Sequence, residues 1–380
     1  MINEAIIKPI NNENRRLKYV DTARFIAMLF VILCHSVSKG TIRHIGYSFH
    51  LPIFFILNGI TLKIDGDKPF GIFLEKKLKS YLIPAFCLGL LCALAEIFMQ
   101  KCFGIGSPKE ANHIGTMLIK LLEQKRVYPI WFLGALLFSD IIFYFIVKWS
   151  KNKFIPCGVF SILTLVVAIY FNKYFKYRYA WNIDVALFGV FFVGCGYLFS
   201  HLKSERVREF LLSRKWISLL FGTLLFALGQ VLGEINHYRY NLHLEMWAMQ
   251  YEKYYLTLPC ALLSSFGVIL TCNAISNNLF SWLGKVTLVM LAFHQIVTIP
   301  LFKQLTFSWY QSIAYLSGND LRYLLYNITS MLFSVTILSL VHLLIINSPF
   351  AFIVNKKMPK FYKRFWGKIK GLFLIKKKML

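Results

Sequence analysis

The sequence predicts an all-α integral membrane protein: a bundle of about ten transmembrane helices with both termini in the cytoplasm. Three observations lead there. The 380-residue chain is 57% hydrophobic and 17% aromatic, with only 16% charged residues. Its apolar residues gather into runs of about 17–22, long enough to cross a hydrocarbon core of ~30 Å. Its basic residues collect on alternate connections, which is the positive-inside pattern.

The runs fall at 22–38, 45–63, 80–99, 130–148, 154–171, 182–200, 216–233, 256–274, 281–300 and 324–346. A polar N-terminus with no small-residue cleavage site marks the first as a retained span rather than a signal peptide. The second is interrupted by His50 and Asn58, the ninth by His294. In the long 100–129 connection, "IGTMLIKLLEQ" reads as a short amphipathic helix over the mouth of a site. With the N-terminus inside, segments 1–21, 63–79, 148–153, 201–215 and 347–380 hold 27 Lys/Arg. The outer segments 39–44, 100–129, 172–181, 234–255 and 301–323 hold 14. The net charge of +26 therefore reads as topology and lipid contact, not as a nucleic-acid partner.

The chain divides into a transmembrane domain, 1–346, and a basic cytoplasmic tail, 347–380. In that tail "PKFYKRFWGKIKGLFLIKKKML" is too short and too charged to span. It suits a helix lying on an anionic leaflet, or a disordered basic tail. The eight cysteines form no C-x-x-C pair, and there is no zinc spacing, Walker loop, G-x-S-x-G or G-x-G-x-x-G. No metal is expected. The lack of an internal repeat argues against a transporter built from duplicated halves.

Ionisable groups inside spans are costly, and each is a candidate functional residue. His35, His50, Asp184 and His294, from four spans, all fall in the outer half of the membrane, with Trp131 on the same side. Arg24 lies near the inner end of the first span, with Asp21 one turn before it. Eleven residues come within about 20° of three full turns, so Arg24 and His35 share a helix face about 16 Å apart along the axis. Asp21 can pair with Arg24 at i, i+3. A guanidinium can hold phosphate, and a neutral imidazole can take a proton from an attacking hydroxyl. Each residue also has a plainer reading: Arg24 as a snorkelling helix-end residue, a lone histidine as packing, Asp184 as a helix cap. The Tyr- and Trp-rich outer segments 172–181 and 236–255 suit sugar stacking or an interfacial aromatic belt.

At these residues the chain resembles the membrane-bound acyltransferase-3 family, in particular its fucose 4-O-acetylase-like branch. "YVDTARFIAMLFVILCHS" resembles the family's first helix, with the R-x10-H motif at Arg24 and His35. "FHLPIFFILNGI" (49–60) resembles F-H-x-P-x-F-F-x-x-S-G, and "YPIWFLGALL" (128–137) the W-F-L opening of a later helix. "GKVTLVMLAFHQIV" (284–297) resembles the G-x-x-S-L…H-Q segment, with "WNIDVALFGVFFVGCGYLF" (181–199) as support. Asn58 and Thr287 stand where the family commonly has Ser.

The resemblance implies transfer of an acyl group, usually acetyl from cytoplasmic acetyl-CoA, to a hydroxyl of an extracytoplasmic glycan or lipid-linked oligosaccharide. It implies a multi-pass protein of the cell membrane. His35 would be the catalytic base and Arg24 the motif arginine at the acetyl-CoA side, with Asp184 and His294 completing the catalytic set. His50, Asn58, Trp131 and Trp181 are the candidate substrate-binding residues. The competing expectation is an exporter or flippase for a polysaccharide or its lipid-linked unit, without acyl-transfer activity.

Overall fold

The computed structural model describes residues 17–357 and 359, apart from 38, 65–68, 106–113, 125–127, 176–178, 202–209, 241–244 and 247–252. The described residues form helices and their connections. We label them α1 (Lys18–Ser36), α2 (Thr41–Phe49), α3 (Pro52–Thr61), α4 (Phe70–Phe103), α5 (Ile114–Leu122), α6 (Trp131–Trp149) and α7 (Phe154–Tyr174). There follow α8 (Ile183–Ser200), α9 (Lys215–Tyr240), α10 (Tyr254–Ile275), α11 (Asn278–Leu283), α12 (Thr287–Leu305), α13 (Phe307–Ile313) and α14 (Leu321–Ile346). Among the described residues, nine helices are long and apolar enough to cross a membrane. This is an all-α integral membrane protein.

The expected second span, 45–63, is not one helix but two. Pro52 has no N–H to donate, and its ring crowds the helical path of the turn before it. The ladder therefore breaks at His50 and Leu51, and α3 starts at the proline. The expected third span, 80–99, is longer than its apolar run. It belongs to α4, which begins at Phe70 and contains a π turn at Leu78–Leu82. A second π turn, His294–Thr298, lies inside α12. Pro84 and Pro300 each follow one of these turns closely. A proline inside a helix clashes with the carbonyl four residues earlier, and a wider turn relieves that clash.

Lipid offers helices no hydrophobic reason to associate, so close backbone approach through small residues matters more than in water. At the α3–α8 crossing, a Cβ on Gly59 would fall on the Val193 carbonyl, and one on Gly196 on the Ile56 carbonyl. Between α9 and α10, Gly222 and Gly267 face each other's backbone. α1 runs through the middle of the bundle, touching α2, α3, α10, α11, α12 and α14. The periphery is apolar outward: Ile155, Val159, Ile162 and Val166 on α7 are all exposed, at i, i+4, i+7 and i+11. That spacing forms one lipid-facing stripe.

α5 realises the amphipathic segment expected in the 100–129 connection. It docks Leu121 onto α4 at Gly89, where a side chain would collide with it. Past the last span, Ala351, Ile353 and Val354 are buried, and Asn355 donates to the Ser80 carbonyl at 3.0 Å. Packed structure thus continues beyond 346. The basic stretch from 360 onward lies outside the described residues, as does half of the aromatic segment 236–255.

Candidate active site

The interior polar groups sort into two layers at opposite ends of α1. At its N-terminal end Arg24 Nη1 pairs with Asp21 Oδ1 at 3.1 Å, the i, i+3 contact that the spacing predicts. Arg24 Nη2 also lies 3.4 Å from Thr61 Oγ1 on α3. Asp21 is buried, while Arg24 keeps part of its side chain accessible. A carboxylate one turn below and a hydroxyl beside it hold the guanidinium in place.

Next to that pair lies a buried network around Asp140 and Asn58, whose other members, Lys77 and Tyr81, sequence reasoning missed. Asp140 on α6 is fully enclosed. Its Oδ2 pairs with Lys77 Nζ at 2.6 Å, and its Oδ1 accepts from Asn58 Nδ2 at 2.6 Å. The Tyr81 hydroxyl lies 3.1 Å from Asp140 Oδ2 and 3.0 Å from Asn58 Oδ1. Thr61 continues the chain by donating to the Asn58 carbonyl at 3.1 Å, which links the network to Arg24. One carboxylate thus meets one ammonium, and both ends of the Asn58 amide are engaged inside the protein. Reading Lys77 as part of a basic 63–79 loop hid it. The available signal was the i, i+4 spacing of Lys77 and Tyr81, which puts both on one face of a helix that continues through the π turn at Leu78–Leu82.

At the C-terminal end of α1 stands the histidine layer. Protein surrounds His35, yet its side chain remains accessible. The His294 ring, fully buried, lies 5.1 Å from it, centroid to centroid. His50 is buried, donates Nδ1–H to the Gly46 carbonyl at 2.7 Å and meets Tyr47 edge-on at 5.0 Å. A Cβ on Gly46 would collide with Cys34 Sγ, so glycine there lets α2 lie against α1 beside His35. His35 is the electrostatic neighbour of both His50 and His294, and Arg43 of α2 is a neighbour of His35. Arg43 was also missed, having been counted as an outer-loop charge; its guanidinium lies over the Tyr47 ring at 5.1 Å.

Asp184 is buried in the first turn of α8, where a carboxylate complements the positive end of the helix. Before it, Trp181 (φ 62°) and Asn182 (φ 55°) both adopt left-handed backbone, which costs about 1–2 kcal/mol per residue for non-glycine side chains. The Asn182 amide offsets that cost by donating to the Gln124 carbonyl at 2.7 Å and the Trp131 carbonyl at 3.1 Å. The turn therefore ties the starts of α6 and α8 to the end of α5. Trp181 stands edge-on to Phe86 and Phe138, each at 6.1 Å, and remains partly accessible. Trp131 is buried.

The structure thus brings His35, His50 and His294 together. It places Arg24 and Asn58 in the charged layer and ties Trp131, Trp181 and Asp184 into one turn. A model of the acyltransferase-3 family, described as an acyltransferase domain, matches residues 17–346. No curated protein and no solved structure matches the chain.

Proposed function

The chain belongs to the acyltransferase-3 family and is a multi-pass membrane acyltransferase; from that premise we propose that it moves an acetyl group from cytoplasmic acetyl-CoA to a hydroxyl of an extracytoplasmic glycan. The observation that carries this reading is the division of labour along α1. One helix holds an ion-paired, partly accessible guanidinium at one end and an accessible imidazole at the other. The positive-inside bias sets the Arg24 end toward the cytoplasm, with both termini inside, in the cell membrane. Arg24 then faces the phosphates of the donor, and His35 faces the acceptor.

In this reading neutral His35 removes the hydroxyl proton as the oxygen attacks the thioester carbonyl. Collapse of the adduct breaks the C–S bond, and the thiolate takes the proton back. His50 and the tied Trp131–Trp181 turn border the acceptor side, Asp184 stands at the start of α8 beside them, and Asn58 supports the donor side through its network. The acceptor class is O-antigen, capsule, exopolysaccharide or a lipid-linked precursor, as in the fucose 4-O-acetylase-like branch.

The test compares surface glycans from cells carrying the wild-type gene, a deletion, His35→Ala and Arg24→Ala. The deletion removes the mass of one acetyl group per repeat unit. His35→Ala lowers transfer by about 10²–10⁴-fold, the usual contribution of a general base, and Arg24→Ala also loses acetylation, with both variants inserted in the membrane. Wild-type acetylation by His35→Ala would sink the assignment of the base. Unchanged repeat-unit mass with less polymer outside the deletion strain would favour export instead.

A further inference from the structure

His294 opens the π turn of α12, and no atom of it reaches solvent. Its Nδ1 lies 2.9 Å from the Met290 carbonyl oxygen and 3.1 Å from that of Leu291. Carbonyl oxygens only accept, so Nδ1 carries a proton. Nε2 is buried and has no hydrogen-bond partner among the described residues. A second proton there would leave a charged ring and an unmatched donor inside the membrane, both costly. The neutral tautomer instead presents Nε2 as a bare acceptor, with the His35 ring 5.1 Å away. At that separation ring nitrogens that turn to face each other come within hydrogen-bond distance. Of the other ionisable neighbours of His35, Arg43 offers only donors, and the His50 ring packs edge-on against Tyr47, whereas the His294 ring lies against His35.

We propose that His294 is the positioning residue of His35: its Nε2 accepts the N–H of His35, so that the opposite nitrogen of His35 is the unprotonated one and faces the acceptor hydroxyl. The inference rests on the reading of His35 as the base and adds what selects its tautomer. A carboxylate does this in a Ser-His-Asp triad. An imidazole fixed on backbone carbonyls does the same without bringing a second charge into the bundle. During transfer the hydroxyl proton moves to the free nitrogen of His35, giving an imidazolium whose other N–H stays on His294. When the C–S bond breaks, that imidazolium returns its proton to the thiolate, and both rings end neutral.

The test uses the purified full-length chain with radiolabelled acetyl-CoA and glycan extracted from the native envelope. It follows kcat, KM and thermal stability for His294→Ala, His294→Gln and His35→Ala. Glutamine places a carbonyl oxygen near the position of Nε2 and keeps an acceptor there. The expected result is a fall in kcat of about 10²-fold for His294→Ala, the scale of a misplaced catalytic group. KM stays unchanged, and His294→Gln recovers to within about tenfold of wild type. A kcat at wild-type level in His294→Ala, or a change confined to KM, overturns the proposal. So does an equal loss in both His294 variants that follows lost thermal stability. If His35→Ala retains activity, the reading of the base fails; if His35→Ala is inactive while His294→Ala turns over normally, only the positioning role fails.

Discussion

The two polar layers on α1 are handled in opposite ways. In the charged layer Arg24 meets Asp21 and Thr61, and Asp140 meets Lys77, Asn58 and Tyr81. In the histidine layer one ring is accessible, and another keeps a buried nitrogen with no partner among the described residues. A charge inside a membrane protein persists only if it is paired. A neutral imidazole costs less to leave unsatisfied, and an unsatisfied base is one that can react. The difference separates an enclosed network around Asp140, whose groups hold one another, from a histidine layer that keeps a base available. Substitutions in the enclosed Asp140 network should therefore register in stability, and those at Arg24 and in the histidine layer in turnover.

The largest test of that contrast is Asp140→Ala. It removes the counter-ion of Lys77 and the acceptor for Asn58 and Tyr81 in one step. Breaking a buried pair from one side costs about 3–5 kcal/mol. Thermal unfolding in detergent, followed by size-exclusion chromatography, should show a large loss, with activity falling only as far as folded protein is lost. His35→Gln should leave the same unfolding curve nearly in place, because an accessible side chain has little packing to lose. Equal thermal losses in the two variants would erase the distinction.

Gly196→Leu sharpens the comparison by touching neither layer directly. The added side chain meets the Ile56 carbonyl, two residues before Asn58. Overpacking of this kind costs about 1–3 kcal/mol. The strain reaches Asn58 first, so loss of stability should precede any change in the KM for acceptor. A wild-type unfolding curve for Gly196→Leu would mean that the α3–α8 crossing is looser than its backbone contacts imply.

What could be read beforehand follows the same physics. Helical period alone places Arg24, Asp21 and His35 on one face, because all three share a helix. Apolar run length finds the spans, since lipid sets their length. The His35–His294 contact depends on how α1 and α12 sit against each other, and no local pattern encodes that. Lys77 was misread because a basic cluster beside an apolar run has the composition of a membrane-flanking loop. Only its distant partner Asp140 shows that the helix continues through it. The broken second span was legible in Pro52, although hydropathy outweighed it.

The smallest effect belongs to a charge pair outside both layers. Asp320, just before α14, accepts from the Arg322 backbone at 2.9 Å, and its Oδ2 lies 3.3 Å from Arg322 Nη2. Hydrogen bonds from the Arg322 side chain and backbone hold its carboxyl below the usual carboxylate range. A depressed folded value means the carboxylate contributes stability above the unfolded value of about 3.9. That contribution disappears as pH falls through the folded value. Asp320→Ala should thus lower the melting temperature slightly and by the same amount at pH 7 and pH 5, with the gap closing only below about pH 4. Exposed pairs are screened by water and contribute little. Melting curves across that pH range provide the check. A loss at pH 7 as large as that of Asp140→Ala would show that pairing itself, rather than pairing inside the bundle, holds this protein together.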